Sequence, residues 1–338
     1  MRMTALVLAA CLAGGAARAQ TAPYVADYTA KLPGDGGWDY VTFDPARNLV
    51  FVGRPGGVLA VDAADGALAG RIGSERGNHG AAPADNIDRV FTSESDAPGI
   101  GVYALSTLAR LDTIRLAHEP DALLYDAPRK LLVVMSRRGH SLIVIDAAQS
   151  RVRNTIDMGS AVEAAAIDDR GTLFVDLPER GEVARVDLSG TVTARWPVAP
   201  CEQPSSLALD HATHRLFVGC RNKLMALVDA ESGRVLDTAP IGGGTDSMAF
   251  DAARRVALSA NGEGYVSVVP ELGDRLGPPQ TLPTARTART LAQDPATGRL
   301  FLAAADIASV DPLLPSQERP VVHYVPGSFR VLAFRPAG

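Results

Sequence analysis

The chain has 338 residues, of which 46% are hydrophobic and 21% charged, a composition typical of a folded protein. A net charge of −5 argues against a dominant phosphate-binding surface, and 3 cysteines are too few for a disulfide-built scaffold. The length alone suggests two domains. Aromatic residues make up only 5%, beside 32 Gly and 23 Pro, which favours many short strands over a few long helices.

The N-terminus has the pattern of a secretory signal peptide. Arg2 supplies the positive charge, residues 5–12 form a short apolar run, and Ala17-Arg18-Ala19 fits the cleavage rule. We therefore expect a signal peptide at residues 1–19 and a periplasmic mature chain, residues 20–338, without a transmembrane segment. Loss of two arginines would leave 31 basic against 38 acidic residues, a net charge of −7. The alternative is lipidation at Cys11, although little apolar sequence precedes it.

A motif recurs along the chain at spacings of 40 to 43 residues. In each copy an Asp ends one apolar run and a turn leads to a second, as in Phe43-Asp44-Pro45 before Leu49-Val50-Phe51-Val52. Each copy also holds a second hairpin, so that one unit has the four strands of a β-propeller blade. The seven positions are Asp44, Ala84, Asp126, Asp168, Asp210, Asp251 and Asp294, with Ala84 as a degenerate copy.

These repeats predict an all-β fold, a seven-bladed β-propeller with four antiparallel strands per blade. A β-sandwich with accidental regularity is the alternative, which seven copies in phase disfavour. The last unit reaches only its third strand, residues 329–334, before the chain stops. We expect the N-terminal strand of the mature chain, residues 24–32, to supply the fourth and close the ring. The mature chain is then a single propeller domain.

The repeat and several local segments resemble the YncE-like (YVTN-repeat) β-propeller family. The segments are Trp38-Asp39-Tyr40, His118-Glu119-Pro120-Asp121, Pro200-Cys201-Glu202-Gln203-Pro204, the stretch from Phe217 to Lys223, the stretch from Ser259 to Gly264, and Ala288-Arg289-Thr290. The tetrapeptide that names the repeat is closest at Leu216-Phe217-Val218-Gly219. The resemblance covers the mature chain and implies a periplasmic propeller, but the family has no settled common activity.

Two sets of loops emerge on one face of a propeller, around the mouth of its central channel. They join the fourth strand of a blade to the next blade, and the second strand to the third; by analogy, sites gather there. The structural alternative is that their polar residues only cap strand ends. The ligand-binding residues predicted at this mouth are Trp38, Asp39, His79, His118, Glu119, Asp121, His140, Glu163, Glu202, Asn222, Asp246, Asn261 and Arg289.

Cys201 and Cys220 are 19 residues apart, at the start of one predicted strand and the end of the next. Antiparallel pairing puts both at the same end of the sheet, close to the separation that a disulfide needs. We predict a disulfide, which an oxidising compartment would permit. A free buried pair or a metal-binding pair remains the alternative.

Four of the six histidines, His79, His118, His140 and His323, map to the channel-mouth face, and the other two to the opposite face. Histidines with nearby carboxylates can bind Zn²⁺ or another transition metal. No HExxH or CxxC spacing accompanies them, so we favour solvated or loop-bonded histidines and assign no metal ligand. The cofactor, if any, stays unknown.

The last blade carries a long connection between its second and third strands, residues 304–327, with four prolines. Connections of this length without structure of their own often serve as lids or binding loops. Because this one belongs to the mouth face, we expect a partial lid over the channel mouth.

The sequence contains no P-loop, no strand-to-helix GxGxxG and no GxSxG nucleophile elbow. Our first hypothesis is therefore a binding or scaffold protein, monomeric, with a small polar ligand, a peptide or a partner protein at the channel mouth. The second is an enzyme, a lactonase-like or metal-assisted hydrolase that uses the channel carboxylates and histidines. The third, binding of single-stranded nucleic acid, is disfavoured by the negative charge.

Overall fold

In a computed structural model, the described residues are 23–313 and 320–337. The predicted signal peptide, Cys11 and residues 314–319 lie outside them. The described residues form thirty strands and two short 3₁₀ helices, Asp85–Ile87 and Pro178–Arg180.

The strands follow one another with short turns. The first four blades follow strand β1 (Tyr24–Lys31) and contain β2 (Val41–Asp44), β3 (Leu49–Arg54), β4 (Gly57–Asp62), β5 (Leu68–Ile72), β6 (Asn78–Ala84), β7 (Arg89–Glu94), β8 (Gly99–Ala104), β9 (Arg110–Arg115), β10 (Leu123–Asp126), β11 (Leu131–Ser136), β12 (Ser141–Asp146), β13 (Arg151–Asp157), β14 (Ala165–Ile167), β15 (Thr172–Leu177), β16 (Glu182–Asp187) and β17 (Val192–Pro197). The remaining strands are β18 (Pro204–Asp210), β19 (Arg215–Cys220), β20 (Leu224–Asp229), β21 (Val235–Pro240), β22 (Thr245–Asp251), β23 (Val256–Asn261), β24 (Tyr265–Pro270), β25 (Gln280–Pro283), β26 (Leu291–Gln293), β27 (Leu300–Ala304), β28 (Ile307–Val310), β29 (Val322–Tyr324) and β30 (Arg330–Pro336).

Seven four-stranded antiparallel sheets confirm the predicted propeller. Six of them use four strands in chain order, from β2-β3-β4-β5 to β22-β23-β24-β25. The seventh has the order β1-β30-β27-β26, so the N-terminal strand closes the ring as expected. In this sheet β1 pairs with β30, with Tyr24 opposite Pro336 and Lys31 opposite Arg330. The pairing covers an edge of β30 that would otherwise be exposed.

The core lies between the blades, and the second strand of each blade explains why. In β11 all six residues are buried, because blades pack on both faces of this strand, and its sequence Leu-Leu-Val-Val-Met-Ser is a continuous apolar run. Five of these second strands contain a phenylalanine that is at most 1% exposed. These residues are Phe51, Phe91, Phe174, Phe217 and Phe301.

The repeated Asp positions lie in the turns between the first and second strands, on the face opposite the channel mouth, which we call the turn face. Asp210 Oδ1 accepts the backbone N–H of Ala212 at 3.1 Å, and Asp294 Oδ1 that of Ala296 at 2.9 Å. The six Asp side chains are buried, so these bonds satisfy carboxylates that water does not reach. In the degenerate copy, the helix Asp85–Ile87 follows Ala84 and makes its own turn.

The predicted disulfide between Cys201 and Cys220 is present, with the two Cα atoms 5.6 Å apart. It joins the loop that enters blade five to the end of β19, where Pro204 pairs with Cys220. Among the described residues, the structure contains no helix of the length and apolar character that a bilayer crossing requires.

The long connection of blade seven contains a β-hairpin, where the sequence suggested a loop without structure. Its two flanks pair as the hairpin β28-β29. Tyr324 on this hairpin packs against Trp38, with ring centroids 5.3 Å apart, and His323 Nε2 lies 2.9 Å from Asp311 Oδ2. β-branched residues at both flanks explain the pairing.

Candidate functional site

One residue from each blade lies five positions before the repeated Asp position, at the channel-mouth end of the first strand. Because the blades are equivalent, these residues face the channel mouth together, and we call them the mouth ring. Unlike the turn-face positions, they differ from blade to blade. The mouth ring consists of Asp39, His79, Asp121, Glu163, Ser205, Asp246 and Arg289.

The first three members of the mouth ring contact one another. His79 Nδ1 is 2.8 Å from Asp39 Oδ2 and 3.5 Å from Asp121 Oδ1. The other ring nitrogen, Nε2, is 3.5 Å from Glu119 Oε1. One imidazole therefore lies among three carboxylates.

This arrangement shifts the pKa values of its members. Burial lowers the pKa of His79, but the hydrogen bond to Asp39 and the charges of Asp121, Asp39 and Glu119 outweigh burial and raise it to about 9. Burial is also the main cause that raises the pKa of Asp121 to about 7, against the opposing charge of His79. The cluster carries an excess of negative charge and attracts cations.

The opposite side of the mouth ring is held by arginines. Glu163 Oε1 accepts bonds from Arg137 Nε at 2.8 Å and Arg221 Nη2 at 3.1 Å. Arg289 pairs with Asp246 and also donates to the backbone oxygen of Trp38 at 3.0 Å. Beneath Glu163, its backbone N–H and that of Ala164 donate to the fully buried Asp176, which fixes the loop into blade four.

Two cavities open at this mouth and share Arg137. The first, the acidic pocket, has a volume of about 110 Å³ and is lined by Asp39, His79, Glu119, Pro120, Asp121, Arg137 and Arg138. The second, the arginine opening, has a volume of about 570 Å³ and is lined by Arg137, Gln203, Arg221, Gly244, Thr245, Asp246 and Arg289. Adjacent spaces of opposite charge can hold different groups of one ligand.

The structure brings together seven of the thirteen predicted mouth residues, and these are Asp39, His79, Glu119, Asp121, Glu163, Asp246 and Arg289. Trp38 is buried beside them, against Tyr324 and Phe329. The exposed residues His118, His140 and Glu202 do not line either cavity.

Two predicted asparagines serve the fold. Asn222 donates to the Pro200 oxygen and accepts the N–H of Glu202, which ties one loop to another. Asn261 is fully buried inside blade six, where it bonds with Ser259, Ser267 and the Tyr265 backbone. These contacts fit the structural alternative at both positions.

Sequence reasoning missed Arg137, Arg221 and Gln203. Arg137 and Arg221 come directly after the second strands β11 and β19, in loops that belong to the mouth face. Their position one residue past the end of a second strand could have predicted that they lie at the channel mouth.

The chain matches no protein-family model and no curated protein. Among solved structures it is similar to a chain of a mitotic checkpoint complex, at 16% identity and TM-score 0.74, covering 96% of this chain and 99% of that one. It is also similar to U3-55K, at 12% identity and TM-score 0.75 over 91% of this chain and 98% of that one. A third is the RRP9 WD40 repeats, at 12% identity and TM-score 0.75, covering 93% and 99%. At these identities the similarity shows the propeller fold alone.

Proposed function

We propose that this chain is an exported binding protein that holds a small polar ligand with an anionic group at the channel mouth. The observation that supports it is the arginine opening, whose lining has three guanidinium groups and one carboxylate. Guanidinium groups bind carboxylates through paired hydrogen bonds, which favours an anionic group there. Gln203 and Thr245 line the same space and add neutral hydrogen-bonding groups.

Arg221 is the group best placed to reach such a ligand. Its side chain is 42% exposed, and it contacts Glu163 through one nitrogen, Nη2. The disulfide fixes the adjacent Cys220, so the backbone that carries Arg221 is held in place. A peptide with a free carboxylate and a partner protein that presents one are the larger ligands of the same chemistry.

Calorimetric titration with a panel of mono- and dicarboxylates, amino acids and short peptides tests this proposal. At least one compound should bind, and Arg221→Gln should weaken its binding about 10-fold or more, the loss expected for one charged hydrogen bond. The matched control is Arg234→Gln, an exposed arginine in a turn on the turn face. Absence of binding across the panel, or equal affinity in both variants, would overturn the proposal.

Export of the chain is part of the same proposal. The signal-peptide pattern at residues 1–19, the Cys201–Cys220 disulfide and the resemblance to periplasmic YncE-like propellers support it. The mature chain, residues 20–338, would then be one propeller domain. The intact mass of protein recovered from an expressing cell checks it, since cleavage after Ala19 removes 19 residues.

A hydrolase is the second candidate, favoured by the solvent-open acidic pocket. There His79, Glu119 and Asp121 lie together and could exchange protons with a bound substrate. A screen of lactones and esters tests it, and turnover that disappears in Glu119→Gln would establish it over simple binding. Nucleic acid is not proposed, because the net charge of −5 argues against a dominant phosphate-binding surface.

A further inference from the structure

We infer that the acidic pocket is a site for one divalent transition-metal ion, with Asp39, His79 and Asp121 as its protein ligands and Glu119 as the group that orients His79. The ion and the proposed carboxylate ligand occupy different cavities that share Arg137, and each is titrated separately, so either one can fail without the other.

The donor atoms have the spacing that a metal ion needs. One oxygen of Asp39, one nitrogen of His79 and one oxygen of Asp121 all lie within 4.8 Å of one another. His79 Nδ1 is 2.8 Å from Asp39 and 3.5 Å from Asp121. An ion with bonds of about 2.0 to 2.2 Å keeps neighbouring ligand atoms roughly 3 to 3.5 Å apart. One ion thus fits between these atoms with small side-chain movements.

The surroundings of Asp121 also favour a bound cation. Its side chain is only 16% exposed, and within the described residues its carboxylate accepts no hydrogen bond. Its ion-pair partner is His79, at 3.5 Å. Asp121 lines the acidic pocket, and a bound cation supplies the partner that no hydrogen-bond donor of the described residues gives this carboxylate.

Glu119 completes the arrangement from behind the imidazole. When His79 Nδ1 faces the ion, the proton is on Nε2, and Nε2 lies 3.5 Å from Glu119 Oε1. Metal-binding histidines commonly donate their second N–H to a carboxylate, which fixes the tautomer and the ring orientation. Arg138 holds Glu119 at 3.2 Å on its other side.

Charge and ligand type narrow the choice of ion. Three carboxylates surround the imidazole and one of them, Glu119, is paired with Arg138, so the cluster offers an excess of negative charge that a divalent ion can neutralise. One nitrogen with two oxygens suits zinc, iron, cobalt or manganese better than a softer ion that prefers sulfur. The pocket of about 110 Å³ is open to solvent and leaves room for water on the remaining positions.

Titration of chelator-treated, tag-free mature protein with Zn²⁺ and Co²⁺ tests the inference. We expect one equivalent to bind, with a visible Co²⁺ spectrum and a raised melting temperature. His79→Ala and Asp121→Asn should each reduce affinity about 100-fold or more, and Glu119→Gln about 10- to 100-fold.

The matched control is His211→Ala, because His211 also pairs with one carboxylate, Asp169, at 3.0 Å, but lies on the turn face. It should bind both ions like the wild type. Asp121→Asn keeps the shape of the side chain, so a folded variant is available even if His79→Ala fails to fold. Absence of stoichiometric binding in the wild type, or equal affinity in wild type and folded Asp121→Asn, would overturn the inference.

Discussion

In each blade, the polar residues at the two ends of the first strand differ in how regularly they repeat. At the turn face six blades have Asp, and five residues earlier, in the mouth ring, the seven blades have five different residue types. Each turn-face Asp accepts bonds within its own turn, as Asp210 does from Ala212 and Thr213, and some also bind a neighbouring blade, as Asp210 binds Arg255. The mouth-ring residues of the acidic pocket contact mainly other blades, as His79 contacts Asp39 and Asp121. Polar groups that repeat hold the turns of the fold, and polar groups that vary line the channel mouth.

The disulfide is the strongest structural tie on the mouth side, and its removal tests how far that side depends on it. Cys201→Ser with Cys220→Ser should lower the free energy of unfolding by about 3 kcal/mol, since it frees a loop of some twenty residues. Urea denaturation measures the loss, and reduced wild type is the control. A loss well below 1 kcal/mol would mean that strand pairing alone holds this loop.

Asn261 was predicted to bind a ligand at the channel mouth, but its hydrogen bonds lie inside its own blade, as those of the turn-face Asp residues lie inside their turns. Asn261→Ala should lower the free energy of unfolding by about 2 to 3 kcal/mol, because Ser259, Ser267 and the Tyr265 carbonyl each lose one hydrogen bond in a buried place. Carboxylate and metal affinities should stay unchanged. Asn222→Ala, in an exposed loop, is the control and should cost less.

Asp121 and Asp126 give the direct test, since they are at the two ends of one strand. Asp126→Asn should cost about 2 kcal/mol of unfolding free energy, because it weakens a buried carboxylate's pair with Arg129. In metal-free protein, Asp121→Asn should cost less than about 0.5 kcal/mol, because its contact with His79 is long, at 3.5 Å, and no described residue donates a hydrogen bond to its carboxylate. Chemical denaturation of the two variants side by side measures both. Equal losses would contradict the division between fold and site.

Asp176 predicts a pH dependence on the mouth side. Burial raises its pKa well above the usual range, Glu163 raises it further, and Arg221 opposes the shift. The folded state therefore keeps a proton that the unfolded state releases above about pH 4, so this group's contribution to stability falls as pH rises. Asp176→Asn does not titrate and should gain about 1 kcal/mol or more over wild type between pH 4.5 and pH 8. Chemical denaturation of both proteins at pH 4.5 and pH 8 measures this gain. An equal change in unfolding free energy between the two pH values in wild type and variant would contradict the prediction.

Repetition made the fold predictable from the sequence. The Asp positions at 40- to 43-residue spacing identified the blades, and the incomplete last unit identified the closing strand. The disulfide followed from strand pairing. These features depend on periodic backbone structure, which a sequence pattern records directly.

The site was only partly predictable, because a strand pattern assigns a residue to a face but does not tell which way its side chain points. Asn261 was placed on the correct side of the propeller, yet its side chain turns into the blade. Arg137 and Arg221 meet at Glu163 only through the packing of three blades. The mouth ring, by contrast, was readable by counting five residues back from each repeated Asp.

Closure by β1 also sets the order of folding. Tyr24 pairs with Pro336 and bonds to Asp251, while Asp27 pairs with Arg299. Strand β1 is made long before β30, so it has no partner until nearly the whole chain has been synthesised. Bringing such distant segments together makes ring closure a late and slow step. We therefore expect β1 to join its sheet only after β30 is available to pair with it.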